Sequence, residues 1–539
     1  MRSRINSTTI LLSLIFLWSA YFVHSWPTFY ESNQYLRLHQ AEALVDFQSF
    51  SVNETMERYG VYNEDVALYK GKAYCDKAIG HPLIGTLVYA IFKPLIPDLP
   101  PDKWIYLLTL MVNTLSHLVG VYALFRICRI LNATPASSLA ASAVYGLCTP
   151  GLLYSSLYFG HQLAASSGIV ALWLLLRWEP GENTKPRYQM ASMALAGFLT
   201  AQMVAVEYSA LWIGVCLSFF ALNKIRNPMG IGLFILCALP WTLGVLVHNW
   251  WVFDHPLSTG YQYKFHGAGL TIGKFEGTLS GFRLPSLLDY ARQLILPTRG
   301  LFFWCPVLLL SIPGLFLLSK GARNSRDTGF LCGAIVVGHA SLIAAFVDWT
   351  AGYTASPRTL LVMLPFFCLG LVPILDSQEK KLREFVRWCF VPLAAISFIH
   401  VAAVSATFPF HAPVFDNPIY ALSWPLLIDG HLARNWGQAL FGFSGINSLI
   451  PILVCTLVGM GMIIWSGTWK LPQKASAVVA AAWLGLTLIF LLSGVSFNPP
   501  QVTQQSASQT AEILSLMEYP EAAQEYRRIS KVAPEAPTP

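Results

Sequence analysis

Charge is what this sequence has least of. Of its 539 residues only 12% are Asp, Glu, Lys or Arg, while 55% are hydrophobic. A soluble domain carries about 25% charged residues, so this chain lacks the means to cover a water-facing surface. It also has no GxxxxGK[ST] loop, no GxGxxG fingerprint and no HExxH pair, which removes the basis for a nucleotide-driven cytoplasmic enzyme or a zinc protease. No Asp-x-Asp pair stands in the first polar loop, so no metal site is expected there. The ten cysteines show neither zinc nor redox spacing. Cys148, Cys216, Cys237, Cys332, Cys368, Cys389 and Cys455 fall in apolar runs and read as small core residues. Cys75, in a polar loop beside Asp76, has no evident partner. Internal repeats and the short alternating segments of a β-barrel are absent too.

What is present is a series of apolar runs of about 20 residues, the length a helix needs to cross a bilayer. Thirteen spans are expected, near 8–26, 103–125, 135–150, 160–177, 188–204, 207–223, 229–251, 301–319, 328–347, 359–375, 388–406, 446–466 and 476–494. The segment 82–97 is apolar but short and interrupted by proline, and reads as interfacial or re-entrant. The N-terminus resembles a signal peptide, but its long apolar part has no clean small-x-small site after it and reads as a retained span. Alternate connectors hold the basic residues: Arg126 and Arg129; Arg177, Lys185 and Arg187; Lys224 and Arg226; Lys320, Arg323 and Arg326; Lys380, Lys381, Arg383 and Arg387; Lys470 and Lys474. This positive-inside pattern places the N-terminus, with Arg2 and Arg4, in the cytoplasm and the tail 495–539 outside. The formal charge of +7 is thus assigned to lipid headgroups and not to nucleic acid. One phrase of the tail, YPEAAQEYRRISKVAPEAP, is like a single helical repeat, but one partial copy is no array.

The unusual residues gather on the outer side. The longest outer loop, 26–102, contains Ser32-Asn33 as a helix cap and an amphipathic helix through Tyr35–Val45, with Leu36, Leu38, Ala41, Ala43, Leu44 and Phe47 on one side and Arg37, His39, Gln40 and Glu42 on the other. It reads as lying on the membrane, or as an ordinary surface helix. Glu31 follows the first span closely and suits a general base, or else a solvated acid at a helix start. Asp76-Lys77 sits in a loop shaped by glycine and proline; Lys77 suits a phosphate, or the two form a solvated pair. Arg358, in DWTAGYTASPRTL, lies outside against the charge trend and suits an anion, or snorkels to the interface. His161 and Glu207 lie at outer span ends, and Arg299 and Lys264 in outer loops, where they supplement an anion site or stay structural.

Several phrases over residues 1–375 carry a family resemblance. They are YESNQYLRLHQAEAL, DVALYKGKAYCDKAIGHPLIGTLVYA, YSSLYFGHQLAA, VEYSALW, RGLFFWCPVLLLSIPGL and WTAGYTASPRTLLVMLP. In this order they resemble GT-C glycosyltransferases, the clan of protein O-mannosyltransferases and lipid A aminoarabinose transferases. The resemblance implies an all-α polytopic membrane protein of GT-C fold, with a transmembrane domain over 1–494, a long first extracytoplasmic loop and a helical tail over 495–539. It implies metal-independent transfer, with inversion, of a sugar from a polyprenyl phosphate to a glycan, lipid or protein acceptor outside the plasma (inner) membrane. No cofactor is implied beyond the lipid-linked co-substrate, and no nucleic acid. Catalysis would fall to Glu31, Asp76 and Lys77; the donor phosphate to Lys77, Arg358 and Arg299; and substrate contacts to His161, Glu207, Tyr74 and Tyr353. The sequence departs from the clan at Glu31-Ser32, where an Asp or an acid pair is common, and after Lys77, where the usual proline is displaced. A flippase for a lipid-linked saccharide and an inactive scaffold are the competing readings.

Overall fold

The structure is a computed structural model describing residues 6–26, 31–60, 65–177, 186–225, 227–266, 269–270, 281–347, 349–350, 352–465 and 503–531. The expected span 476–494, Arg2 and Arg4 lie outside the described residues.

The chain is mostly helical. Among the described residues six helices are long and apolar enough to cross a membrane: Pro101–Ile130, Tyr188–Val206, Pro228–Phe253, Arg323–Ala345, Lys381–Ala406 and Gly445–Ile463. Shorter apolar helices include Ser7–Tyr21, Gly80–Phe92 and Gly160–Leu176. Two expected spans are broken. The 301–319 stretch forms Leu301–Trp304, a 3-10 turn at Pro306–Leu310 and then Ser311–Ser319. Residues 359–375 fall within a 3-10 turn at Arg358–Met363 and the short helices Leu364–Cys368 and Leu371–Leu375. Pro306, Pro365 and Pro373 each remove an amide donor from these stretches.

Pro228–Phe253 leaves Ile235, Leu236, Leu243, Val247, Trp250 and Trp251 exposed along its length. Water would not tolerate that face, whereas lipid would, and the Trp250-Trp251 pair at its end matches an interfacial aromatic belt. Gly160–Leu176 is buried on nearly every side and forms the centre of the helical core.

The first helix, α1 (Ser7–Tyr21), is capped by Asn6, whose side chain accepts from the Thr8 amide at 3.1 Å. It runs into a short strand, β1 (Phe22–Val23), paired antiparallel with Arg434–Asn435. Two tail helices, Gln504–Leu516 and Pro520–Ser530, dock beside that late strand. There the Tyr519 hydroxyl meets the Leu432 amide at 3.1 Å, and Arg434 pairs with Glu518 at 2.7 Å.

The described part of the polar stretch 26–102 is folded, and its helix corrects the sequence reading. Helix α2 (Ser32–Asp46) is capped by Glu31, not by Ser32-Asn33: the Glu31 carboxylate accepts from the Gln34 amide at 2.7 Å. Both faces of α2 are buried, including Arg37, His39, Gln40 and Glu42, so it does not float on the membrane. Part of the polar face is satisfied internally, as where the Tyr59 hydroxyl donates to Glu42 at 2.5 Å. Helix α3 (Asn53–Tyr59) follows, then strands β2 (Val66–Tyr69) and β3 (Lys72–Cys75), then α4 (Gly80–Phe92).

Candidate active site

The site is built on the β2–β3 hairpin. Its two-residue turn, Lys70-Gly71, has φ of +48° and +77°, the double positive φ that lets a tight hairpin match the twist of its strands. Glycine carries the second of these at no steric cost. The register pairs Val66 with Cys75, so the hairpin opens with Asp65 and Asp76 facing each other. Like charges directly opposite repel. Here two lysines close the gap. Lys77 Nζ lies 3.0 Å from Asp65 Oδ2 and 3.0 Å from Asp76 Oδ1. Lys264 Nζ lies 2.6 Å from Asp65 Oδ1 and 3.3 Å from Asp76 Oδ2.

Lys264 comes from a distant loop, and Gly260 lets it approach. A Cβ at Gly260 would stand 2.6 Å from the Asp76 Cα. The hairpin is also tied to the C-terminal end of Pro228–Phe253, where the Tyr69 hydroxyl donates to Asp254 at 2.7 Å. That places it at the level of the Trp250-Trp251 belt.

Electrostatics keep Asp65 and Lys77 charged. Burial works against the charge of Asp65, but Lys77 and Lys264 outweigh it and hold the carboxyl below its usual range. Burial likewise opposes the Lys77 cation, yet Asp65 and Asp76 raise its pKa. Two carboxylates and two ammonium groups sum to zero. Lys77 spends two of its three donors inside the cluster and keeps one. Cys75, at the end of β3, is buried and its thiol is pushed up to about 12 by that burial, which makes it inert.

Glu31 is different. Burial pushes its pKa up to about 7; the Gln34 and Asn33 amides oppose the shift, Asp65 adds to it, and Arg358 opposes it. A carboxyl poised near neutrality is suited to accept a proton. Helix α2 is fixed below it by Gln34, which donates to the His24 carbonyl at 3.0 Å and accepts from the Tyr158 amide at 2.8 Å. Arg358 opens its 3-10 turn with the guanidinium 5.3 Å over the Phe159 ring. His161 Nδ1 lies 3.5 Å from Glu207 Oε2. The charges of Arg37, Arg358 and Lys77 all act on Glu207, and those of Asp65 and Arg358 on Glu31.

No family model matches the chain, and no curated protein matches it. Among solved structures, ArnT from Cupriavidus metallidurans bound to undecaprenyl phosphate is similar at 12% identity over 98% of this chain and 88% of that one, with a TM-score of 0.45. The same protein in the apo state gives 0.46 at equal identity and coverage. The apo oligosaccharyltransferase of Archaeoglobus fulgidus is similar at 12% identity over 74% of this chain and 56% of that one, with a TM-score of 0.44. These matches share 12% identity with the chain, and their TM-scores are below 0.5. Likeness at this level leaves the chemistry to be argued from the chain's own residues.

Glu31, Asp76, Lys77, His161, Glu207 and Arg358 thus share one neighbourhood. Three expected contacts lie elsewhere. Arg299 is buried with its guanidinium turned onto the carbonyls of Thr298, Thr350 and Gly352 at 3.1–3.3 Å, so it braces the turn that carries Arg358 instead of offering a free fork to a phosphate. Tyr74 packs against Phe253, 6.0 Å between ring centroids, on the opposite hairpin face from Cys75. Tyr353 is 63% exposed. Two residues that join the site were given no role there by sequence. Asp65 was legible by counting outward from the Lys70-Gly71 turn to the position opposite Asp76. Arg37 had no such signal.

Proposed function

We propose that the chain transfers a sugar from a polyprenyl-phosphate carrier to an extracytoplasmic acceptor, with inversion and without a metal. The observation that carries this reading is Glu31, with its pKa near 7, in the same electrostatic neighbourhood as Arg358 and the Asp65-Asp76-Lys77-Lys264 cluster. In the proposed step Glu31 takes the proton of an acceptor hydroxyl or amine. The freed lone pair bonds to the anomeric carbon from the face opposite the phosphate. The carbon–oxygen bond to the phosphate breaks and its electron pair leaves on the lipid phosphate. Arg358 and the remaining donor of Lys77 stabilise that growing charge, usually the largest catalytic contribution. Asp65, Asp76 and Lys264 hold the Lys77 ammonium in place. The thirteen-span topology, with a cytoplasmic N-terminus and an external tail in the plasma membrane, belongs to the same proposal.

The test is turnover. Full-length protein in liposomes is given radiolabelled polyprenyl-phosphate sugars and membrane acceptors, and release of polyprenyl phosphate is measured. Wild type is expected to release it. Lys77→Met and Arg358→Gln are each expected to lose about a hundredfold or more. A folded Arg358→Gln variant with wild-type turnover would sink the assignment of the phosphate.

A further inference from the structure

Arg37 is the least explained charge in the molecule. It is 2% exposed, deeper than Lys77. Its Nε and Nη1 have no hydrogen-bond partner, and it forms no ion pair among the described residues. A charge taken out of water without a counter-ion opposes folding, so such a group persists where a ligand will later meet it.

Its position is fixed by geometry. Gln34, three residues earlier and on the same side of α2, is bonded to the Tyr158 backbone. That directs Arg37 toward the segment joining Tyr158 to His161. The Tyr158 hydroxyl is also buried without a partner, as is His81 Nδ1, and the two rings lie 4.5 Å apart. The Arg37 charge acts on both of these groups and on Lys77. Glu207 feels Arg37 most strongly among its charged neighbours, but it stands against His161. The result is a buried guanidinium whose charge reaches two groups with unsatisfied polar atoms, and a lysine whose own charge is already balanced.

We propose that Arg37, with Tyr158 and His81, forms a second oxyanion subsite on the interior side of Lys77, which takes a phosphoryl or carboxylate group of a substrate. A planar guanidinium suits two oxygens of such a group, and the phenol adds one donor. That the ligand is a glycosyl donor or acceptor rests on the transfer reading above. The subsite itself does not.

The experiment uses full-length protein in detergent as wild type, Arg37→Met and Arg37→Lys. The probes are inorganic pyrophosphate, undecaprenyl phosphate and glucuronate, with affinity measured by calorimetry and stability by thermal melting. Arg37→Met is expected to match or exceed the ligand-free melting temperature of wild type while weakening at least one probe about tenfold or more, with Arg37→Lys in between. Weakening of pyrophosphate or lipid phosphate assigns a phosphoryl group; weakening confined to glucuronate assigns a sugar carboxylate. A lower ligand-free melting temperature in Arg37→Met, unchanged affinity for all three probes, or no binding of any probe by wild type overturns the subsite. Wild type that binds a probe through Arg37 yet releases no lipid phosphate refutes sugar transfer and leaves the subsite standing.

Discussion

Glu31→Gln separates a base from a structural carboxyl because the two roles move stability in opposite directions. In the fold Glu31 keeps its proton up to about pH 7, whereas an ordinary glutamate releases it near 4.5. Between those values the folded state binds more protons than the unfolded one, so this residue makes stability fall as pH rises through that window, and the loss is complete above 7. The difference between 4.5 and about 7 corresponds to roughly 3 kcal/mol, reduced to about a third of that where water screens the half-buried side chain. Glutamine mimics the protonated form at every pH. The variant is therefore expected to melt above wild type near pH 8, by about 1–3 kcal/mol of stability. Near pH 4, where the wild-type carboxyl is itself protonated and caps the helix as a neutral acceptor, the two are expected to melt together. Sugar transfer should fall by about a hundredfold or more, and the wild-type rate should climb with pH to a plateau above 7. The assay is a melting series in detergent paired with a pH–rate profile in liposomes. A variant that melts below wild type at pH 8, or that transfers at full rate, refutes the reasoning.

Other changes probe the mount of the site. Asp65→Asn leaves two lysines sharing Asp76 and is expected to cost about 3–5 kcal/mol, read as a lower melting temperature. Because the folded Asp65 carboxyl lies below its ordinary value of 3.8, its stabilisation is present above that value and lost as pH falls through the lower one; wild type should therefore show an acid transition that the variant lacks. Gly260→Ala forces a Cβ against the Asp76 backbone and is expected to cost about 1–3 kcal/mol with slower turnover, checked by melting and transfer assays. Arg299→Met strips three carbonyls of their donor and is expected to cost about 2–3 kcal/mol and to open the 352–358 turn to protease.

The membrane character and most helix positions were legible because lipid imposes long apolar runs. The breaks at Pro306 and Pro365 were not, since hydropathy alone ignores a missing amide donor. Helix α2 misled for a related reason. Its Arg37, His39, Gln40 and Glu42 read as a wet face, but tertiary packing supplies Tyr59 to Glu42 and encloses the rest. Arg299 and Arg358 look alike in sequence, each an outer arginine near a span. The backbone distinguishes them, since the turn around Gly352 points carbonyls at Arg299. Asp65 was legible, as VALY and KAYC around Lys-Gly specify a hairpin that sets it opposite Asp76.

The hairpin also changes what Lys77 can do. A lone lysine at the membrane edge would attract any anion, including the lipid headgroups around it. Enclosed by Asp65 and Asp76 and balanced by Lys264, it offers direction without net charge. Discrimination between a bulk headgroup and the proposed donor then falls to the groups outside the cluster, Arg358 at one side and Arg37 in the interior. Glu31 lies in the field of Arg358, and once its proton is released near neutral pH its charge disfavours a second anion there. The same carboxyl that would take the acceptor's proton would thus also limit the site to one anionic substrate at a time.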